Sequence, residues 1–176
     1  MTTIPLERIH NLSGLPDSGY EISVTASPDE LQRLAEWAGV DAVSRLHARV
    51  KIVPELRTGF LLETEFEADV VQSCVVTLEP VHSHIARSFT RALHLAAALH
   101  RHAEKGGMTP PAVAGDDAPE EIESLRCDLA GPLREEFALA IDAYPRAPGV
   151  EFEASPDIEE HPDSPFAALE QLKRDR

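Results

Sequence analysis

The stretch RLHARVKIVPELRTGFLLETEFEADV, residues 45–70, decides the fold because polar and apolar side chains alternate through both of its halves. A period of two is the pattern of a strand that buries one face. The link between the halves contains Pro54 and Gly59, which favour a turn. We therefore predict a β-hairpin centred on Arg57.

A hairpin centred on Arg57 fixes the register of the two strands, and the charges of the side chains that it places opposite each other test that register. It places four pairs opposite each other on one face: Lys51 with Glu63, Arg49 with Glu65, His47 with Glu67, and Arg45 with Asp69. The other face pairs Ile52 with Leu62 and Ala48 with Phe66. A slip of one residue would turn the apolar set of one strand to the wrong face. We interpret the charged face as a solvated sheet surface, because exposed ion pairs are common and weak.

Before the hairpin, residues 20–26 alternate as a strand does, and a helix is predicted over 28–38. Ser27 and Glu30 form a capping box, Pro28 suits the first helical position, and Gly39 can end the helix.

After the hairpin, the β-branched run from residue 70 predicts a further buried strand that Pro80 breaks or places at an edge. Residues 85–103 fit either a strand or a helix, and the sequence leaves both open. A loop is predicted over 104–120, and a short strand over 122–127.

Two helices are predicted beyond that loop. Asp128 can cap the first, which has Pro132 in its first turn. Its buried stripe recurs every four residues, at Leu129, Leu133, Phe137 and Ile141. The second is a short tail helix in SPFAALEQLKRDR, with an apolar stripe at Phe166, Leu169 and Leu172.

Together these elements predict an α+β fold, in which an antiparallel sheet is built around a central hairpin, with packed helices and a C-terminal tail helix. We divide the chain into an N-terminal segment (1–19), an α+β domain (20–146) with its acidic loop at about 104–120, and a Pro-rich acidic tail (147–176).

The net charge of −15 bears on the partner. Residues 104–176 carry 7 basic and 18 acidic side chains, a net charge of −11. Such a surface repels phosphate backbones at long range and attracts basic proteins. No signal peptide and no apolar run long enough for a membrane span is visible, and two cysteines cannot form a disulfide framework. We therefore expect a cytoplasmic protein without a membrane partner.

Catalytic motifs are not visible in the sequence, and we expect neither an enzyme nor a bound cofactor. Histidines at 82, 84, 100 and 102 lie near Cys74 and could supply zinc ligands, but no C-x-x-C accompanies them, so we expect no metal. We expect Cys74 to be a small buried side chain rather than a reactive thiol.

Three segments resemble the bacterial YceD family, whose members are described as large ribosomal RNA subunit accumulation proteins. They are QSCVVTLEPV (72–81), ESLRCDLAGPLREEFALAIDAYPRAPG (123–149) and SPFAALEQLK (164–173). Some family members carry C-x-R-C-L where this chain has Cys74 followed by Thr77 and Leu78, so a metal or redox cysteine pair does not carry over. Residues at the motif positions are our candidates for partner binding: Cys74, Thr77, Leu78, Glu79, Pro80, Glu135, Tyr144, Pro145, Arg146, Phe166, Leu169 and Leu172.

The resemblance implies a part in 23S rRNA accumulation or processing and in assembly of the large subunit. Our first hypothesis is a non-catalytic factor that contacts a basic partner, a large-subunit ribosomal protein or a pre-50S particle. The alternative is direct contact with 23S rRNA through a local patch that contains Arg87, Arg91 and Arg101.

Overall fold

The computed structural model describes residues 4–55, 59–96 and 120–151, which form seven strands and two helices. In chain order they are β1 (Ile9–Asn11), β2 (Tyr20–Thr25), α1 (Pro28–Ala38), β3 (Ala42–Glu55), β4 (Gly59–Ser73), β5 (Pro80–Leu95), β6 (Glu120–Ile122), β7 (Arg126–Asp128) and α2 (Gly131–Ala140). The predicted α+β class is confirmed.

Five strands form the main sheet, in the order β2-β3-β4-β5-β6. All neighbours are antiparallel except β5 and β6, which are parallel. β3 and β4 pair in the predicted register, with Lys51 opposite Glu63 and Arg45 opposite Asp69. Residues 56–58, where the predicted turn lies, are outside the described residues.

One face of this sheet carries the core, and α1 and α2 pack on that side. Its centre is made of apolar side chains from β3 and β4 that are at most 2% exposed: Leu46, Ala48, Val50, Ile52, Leu62, Phe66, Ala68 and Val70. The stripe predicted for α2 is buried at Leu129, Leu133 and Phe137, and Ile141 is partly buried. The charged set of side chains therefore lies on the opposite face, as the register predicts.

Helix α1 begins and ends where its sequence signals predict. The Ser27 side chain accepts from the Glu30 N–H, and the Glu30 carboxylate accepts from the Ser27 N–H at 2.9 Å. At the other end Gly39 is left-handed, with φ 69°, and its N–H donates to the carbonyl of Ala35. These bonds satisfy groups that a helix end otherwise leaves unpaired.

The region from residue 70 to residue 95 differs from the prediction. β4 continues through Ser73, so our prediction of a separate buried strand from residue 70 is wrong. Residues 74–79 form a turn, and Pro80 begins β5. The strand alternative holds for residues 85–95. Fifteen pairings with β4 fix β5 as a strand, and such non-local bonds override the helix preference of its Ala, Leu and Arg residues.

Two further expectations need correction. The single strand predicted over 122–127 is two short strands, because β6 joins the main sheet and β7 pairs with β1; Glu120, placed in the loop, is part of β6. Asp128 does not cap α2, whose N-cap is Ala130 without a side-chain bond. The Asp128 carboxylate instead accepts from the Ala130 N–H and the Arg8 N–H, at 3.1 and 2.7 Å.

An N-terminal strand segment is tied to three parts of the domain. Leu6 and Leu12 are buried in the core, and Arg8 donates to Glu30 of α1 at 2.7 Å. Arg134 of α2 donates to Asp128 at 2.7 Å and to the carbonyl of Leu6. The Arg8 hydrogen bond lowers the pKa of Glu30 to about 2, against the opposing effect of burial.

Within the described ranges, neither helix has the length and apolar character needed to cross a membrane.

Candidate partner-binding surface

Two segments that are far apart in sequence meet at one end of the sheet. The N–H of Val75 donates to the carbonyl of Pro145 at 2.9 Å, and the Gln72 side chain donates to the carbonyl of Asp142 at 2.8 Å. We call the turn 74–79 and the segment 142–149 together the motif surface.

The Cys74 sulfur holds the motif surface together. This residue is fully buried, and its Sγ accepts from the N–H of Val76 and Thr77 at 3.5 Å and from the N–H of Ala147 at 3.3 Å. The expectation that Cys74 is buried is confirmed, but its sulfur is a hydrogen-bond acceptor rather than only a small apolar group.

These bonds favour the thiolate form of Cys74. The Thr77 side chain contributes most, followed by the N–H groups of Ala147, Thr77 and Val76, and together they lower the pKa of Cys74 to about 6. Thr77 occupies the position of the second cysteine in C-x-R-C-L, and here its backbone N–H donates to the first cysteine's sulfur at 3.5 Å. Cys127 behaves in the opposite way, because burial raises its pKa.

The turn itself has an unusual backbone at Leu78. The N–H of Leu78 donates to the carbonyl of Cys74 at 2.9 Å, closing one helical turn, and the N–H of Cys74 donates to the carbonyl of Glu79 at 2.8 Å. Leu78 has a φ of 63°, and no other non-glycine residue among those described has a positive φ. Glycine normally ends such a turn, since a side chain there costs about 1–2 kcal/mol.

Apolar side chains of the motif surface are exposed. Leu78 is 77% exposed, Tyr144 is 74% exposed and Val75 is 47% exposed. Pro145, which follows Tyr144 in the chain, is buried. A leucine in a strained position that gains no burial is not explained by stability, and such outliers point to function.

A comparison with protein families matches residues 62–173 to the family described as large ribosomal RNA subunit accumulation protein YceD. The match covers more than half of the chain. The chain belongs to the YceD family. No curated protein and no solved structure matches this sequence.

YceD membership confirms the resemblance and, in the terms of the family's description, implies involvement in the accumulation of large-subunit ribosomal RNA. The matched residues contain both segments of the motif surface. Residues 4–55 precede the match, although they supply α1, two strands of the main sheet and part of the core. The structure therefore extends the folded unit beyond the part that the YceD match covers.

The remaining candidates from the YceD motifs are distributed as follows. Thr77, Glu79 and Pro80 are exposed next to Leu78, and Arg146 is exposed next to Tyr144. Glu135 is exposed on α2. Phe166, Leu169 and Leu172 lie outside the described residues. The sequence did not single out Gln72 or Ala147, since the bonds that they make depend on how the two segments dock.

Of the three arginines considered for RNA contact, Arg91 is already paired, because its guanidinium lies 2.7 Å from the Glu136 carboxylate of α2. Arg87 is exposed and borders an open depression of about 430 Å³ that His47 and Arg49 also line. It pairs with the buried Phe66 in the register, so its side chain lies on the other face of the sheet from those of His47 and Arg49. The carboxylates of Glu65 and Glu67 line the same depression and would repel a phosphate. Arg101 lies outside the described residues.

Ion pairs join neighbouring strands on the charged face of the sheet. Lys51 pairs with Glu63 at 3.0 Å, and Arg45 pairs with both Asp69 at 2.9 Å and Glu67 at 3.4 Å. Arg49 lies opposite Glu65 in the register but pairs with Glu21 of β2, at 3.3 Å. We call these rows of β2, β3 and β4 the charge ladder.

The histidines weighed as zinc ligands have other surroundings. His84 Nδ1 lies 2.6 Å from Asp69 Oδ1, and this bond is the main cause that lowers the pKa of Asp69. His82 is exposed. Within 4–55, 59–96 and 120–151, no three side chains of the metal-binding types come together. His100 and His102 lie outside those ranges.

Proposed function

We propose that the protein is a non-catalytic factor in large-subunit assembly, one that supports 23S rRNA accumulation and processing by contacting a basic partner. The partner would be a large-subunit ribosomal protein or a pre-50S particle in the cytoplasm. The observation that carries the proposal is the motif surface, where Val75, Leu78 and Tyr144 are exposed on two YceD motif segments joined by hydrogen bonds. The net charge of −15 supports a basic partner.

Recognition through this surface follows from its construction. The Cys74 hydrogen bonds fix the turn before any partner arrives, so little conformational entropy is lost on binding. Exposed Leu and Tyr side chains supply apolar area, and Tyr is among the residues that contribute most at interfaces. Long-range attraction by the acidic chain would raise the association rate, and this effect falls with salt.

The test is affinity capture from cell lysate on the full chain, in low and high salt, with and without ribonuclease. We expect a large-subunit ribosomal protein that resists ribonuclease and is released by salt. Capture should be lost in Leu78→Gly and Tyr144→Ala, because both remove exposed apolar area from the motif surface.

Tyr20→Ala is the matched control, since Tyr20 of β2 is a tyrosine that is 49% exposed outside the motif surface. Equal capture by all variants, or no ribosomal protein captured at low salt, would remove the proposal.

Direct RNA contact through Arg87 is the second candidate, and one observation favours it: Arg87 is exposed, and no carboxylate among the described residues forms an ion pair with it. In this case the captured material would be lost with ribonuclease, and Arg87→Glu would weaken an RNA gel shift at least about tenfold. RNA binding that is unchanged in Arg87→Glu would exclude this patch.

A further inference from the structure

A groove lies between α1 and the start of β3, and none of its lining residues belongs to the motif surface. It is an open depression of about 520 Å³, within the range of roughly 300–1,000 Å³ typical of ligand sites. Buried Ala35 and Val43 and half-buried Leu31 and Val40 line it. We call it the α1–β3 groove.

Carboxylates lie at the edge of this apolar groove. Glu36 and Asp41 are both exposed and both line it. Among the described residues neither carboxylate has an ion pair; Glu36 accepts from Gln32 at 3.1 Å, and Asp41 accepts from Ser73 at 2.8 Å. An occupant of the groove should therefore combine apolar side chains with positive charge.

The chain itself contains a segment with that chemistry. In SPFAALEQLKR (164–174), Phe166, Leu169 and Leu172 recur every three residues, and Lys173 and Arg174 follow directly. Apolar spacing of this kind is how a helix presents one face to a groove. The last described residue, Glu151, is separated from Phe166 by the fourteen residues 152–165.

Connectivity permits the segment to reach the groove. Ser73 contacts Asp41 of the groove, its neighbour Cys74 contacts Ala147, and Glu151 follows four residues later. Glu151 therefore lies within roughly 25 Å of the groove, whereas the fourteen residues 152–165, when extended, span up to about 50 Å. A tether of this length gives a millimolar effective concentration, so even a weak contact is populated.

We propose that the α1–β3 groove binds the segment 164–174 of the same chain, with Phe166 and Leu169 on its apolar lining and Lys173 and Arg174 beside Glu36 and Asp41. This contact joins the C-terminal end of the YceD match to residues 28–43, which precede the match. It is independent of the partner proposed above, and it needs no partner to be tested.

The test is methyl NMR on the full chain at several protein concentrations. We expect the signals of Leu31, Val40 and Val43 to shift in Phe166→Ala/Leu169→Ala, and hydrogen exchange of amides 166–172 to accelerate by about tenfold or more, because buried Phe and Leu side chains are lost from the contact. The control Glu170→Ala/Gln171→Ala changes the same segment off its apolar stripe and should leave the groove signals in place.

Charge reversal on the groove side gives a second readout that does not alter the segment. Glu36→Lys should accelerate exchange in 166–172, and Glu36→Gln should do so less. Groove signals that are identical in the wild type and the Phe166→Ala/Leu169→Ala variant would overturn the proposal. A shift that grows with protein concentration would also overturn it, because the occupant would then be a second copy of the chain.

Discussion

The charge ladder and the motif surface both face solvent, but the ladder exposes charged side chains and the motif surface exposes apolar ones. On the ladder, the basic side chains Arg45, Arg49 and Lys51 of β3 pair with carboxylates of the neighbouring strands. On the motif surface, hydrogen bonds are buried at Cys74 while Leu78 and Tyr144 are exposed. The basic side chains of the ladder have partners within the sheet, whereas the motif surface exposes apolar area that the described part of the chain does not cover.

The largest effect in this comparison is expected from removing the Cys74 sulfur. Cys74→Ala leaves the N–H groups of Val76, Thr77 and Ala147 without their acceptor, and we expect the free energy of unfolding to fall by about 1–3 kcal/mol. Urea denaturation measures this loss, and hydrogen exchange at Ala147 locates it. Cys127→Ala is the control, because it should leave exchange at Ala147 unchanged.

The pH dependence of Cys74 sharpens the same point. Its pKa is lowered from 9.0 to about 6, so the stabilisation by the thiolate is present above pH 9 and is lost as the pH falls through 6. Ultraviolet absorbance of the thiolate should titrate near pH 6 in the wild type but not in Cys74→Ser. A single thiol titration above pH 8.5 would contradict the hydrogen-bonded sulfur.

A shielded ion pair provides the next test, since it should exceed any exposed pair of the ladder. The side chain of Glu30 is 14% exposed, and its hydrogen bond with Arg8 lowers its pKa from 4.5 to about 2. Its contribution is present above pH 4.5 and is lost as the pH falls through 2; after solvent screening we expect it to be on the order of 1 kcal/mol.

Denaturation of the wild type and Glu30→Gln between pH 2 and pH 5 measures this contribution. The variant should lose stability at neutral pH and show a flatter acid profile. Parallel profiles for the two proteins would mean that the Arg8 bond does not shift the pKa of Glu30.

We expect Leu78→Gly to lose partner capture without losing stability. Leu78→Gly relieves a left-handed backbone at φ 63°, while glycine costs some entropy, so the free energy of unfolding should stay level or rise by up to about 1 kcal/mol. Thermal denaturation checks this change beside the capture assay. A loss of more than 1 kcal/mol would mean that the side chain supports the fold.

The smallest effect is expected from the ladder. Lys51→Glu puts like charges opposite each other at Glu63 of β4 and at Glu21 of β2, and it should cost roughly 0.2–1 kcal/mol for each pair, less in high salt. The double variant Lys51→Glu/Glu63→Lys should recover only the part of that cost that comes from position 63, because Glu21 still lies opposite residue 51, while partner capture is unchanged throughout. Capture that weakens with Lys51→Glu would make the ladder a binding surface after all.

The sequence by itself determined what depends on neighbours along the chain. The period-two patterns determined the register between β3 and β4, and the Ser27–Glu30 box determined the start of α1, because both rest on short-range geometry. The YceD motifs were equally readable, but only as a resemblance. The sequence could not choose between strand and helix at 85–95, since pairing with β4 decided it.

Only the tertiary structure decided which distant groups meet. Arg49 pairs with Glu21 because β2 adds to the sheet beside β3. Asp128 binds Arg8 and Arg134 because the N-terminal segment pairs with β7 and contacts α2. Cys74 becomes an acceptor because a segment 73 residues away docks its Ala147 N–H on the sulfur. Such contacts follow from how the elements pack in space, which no local pattern of residues encodes.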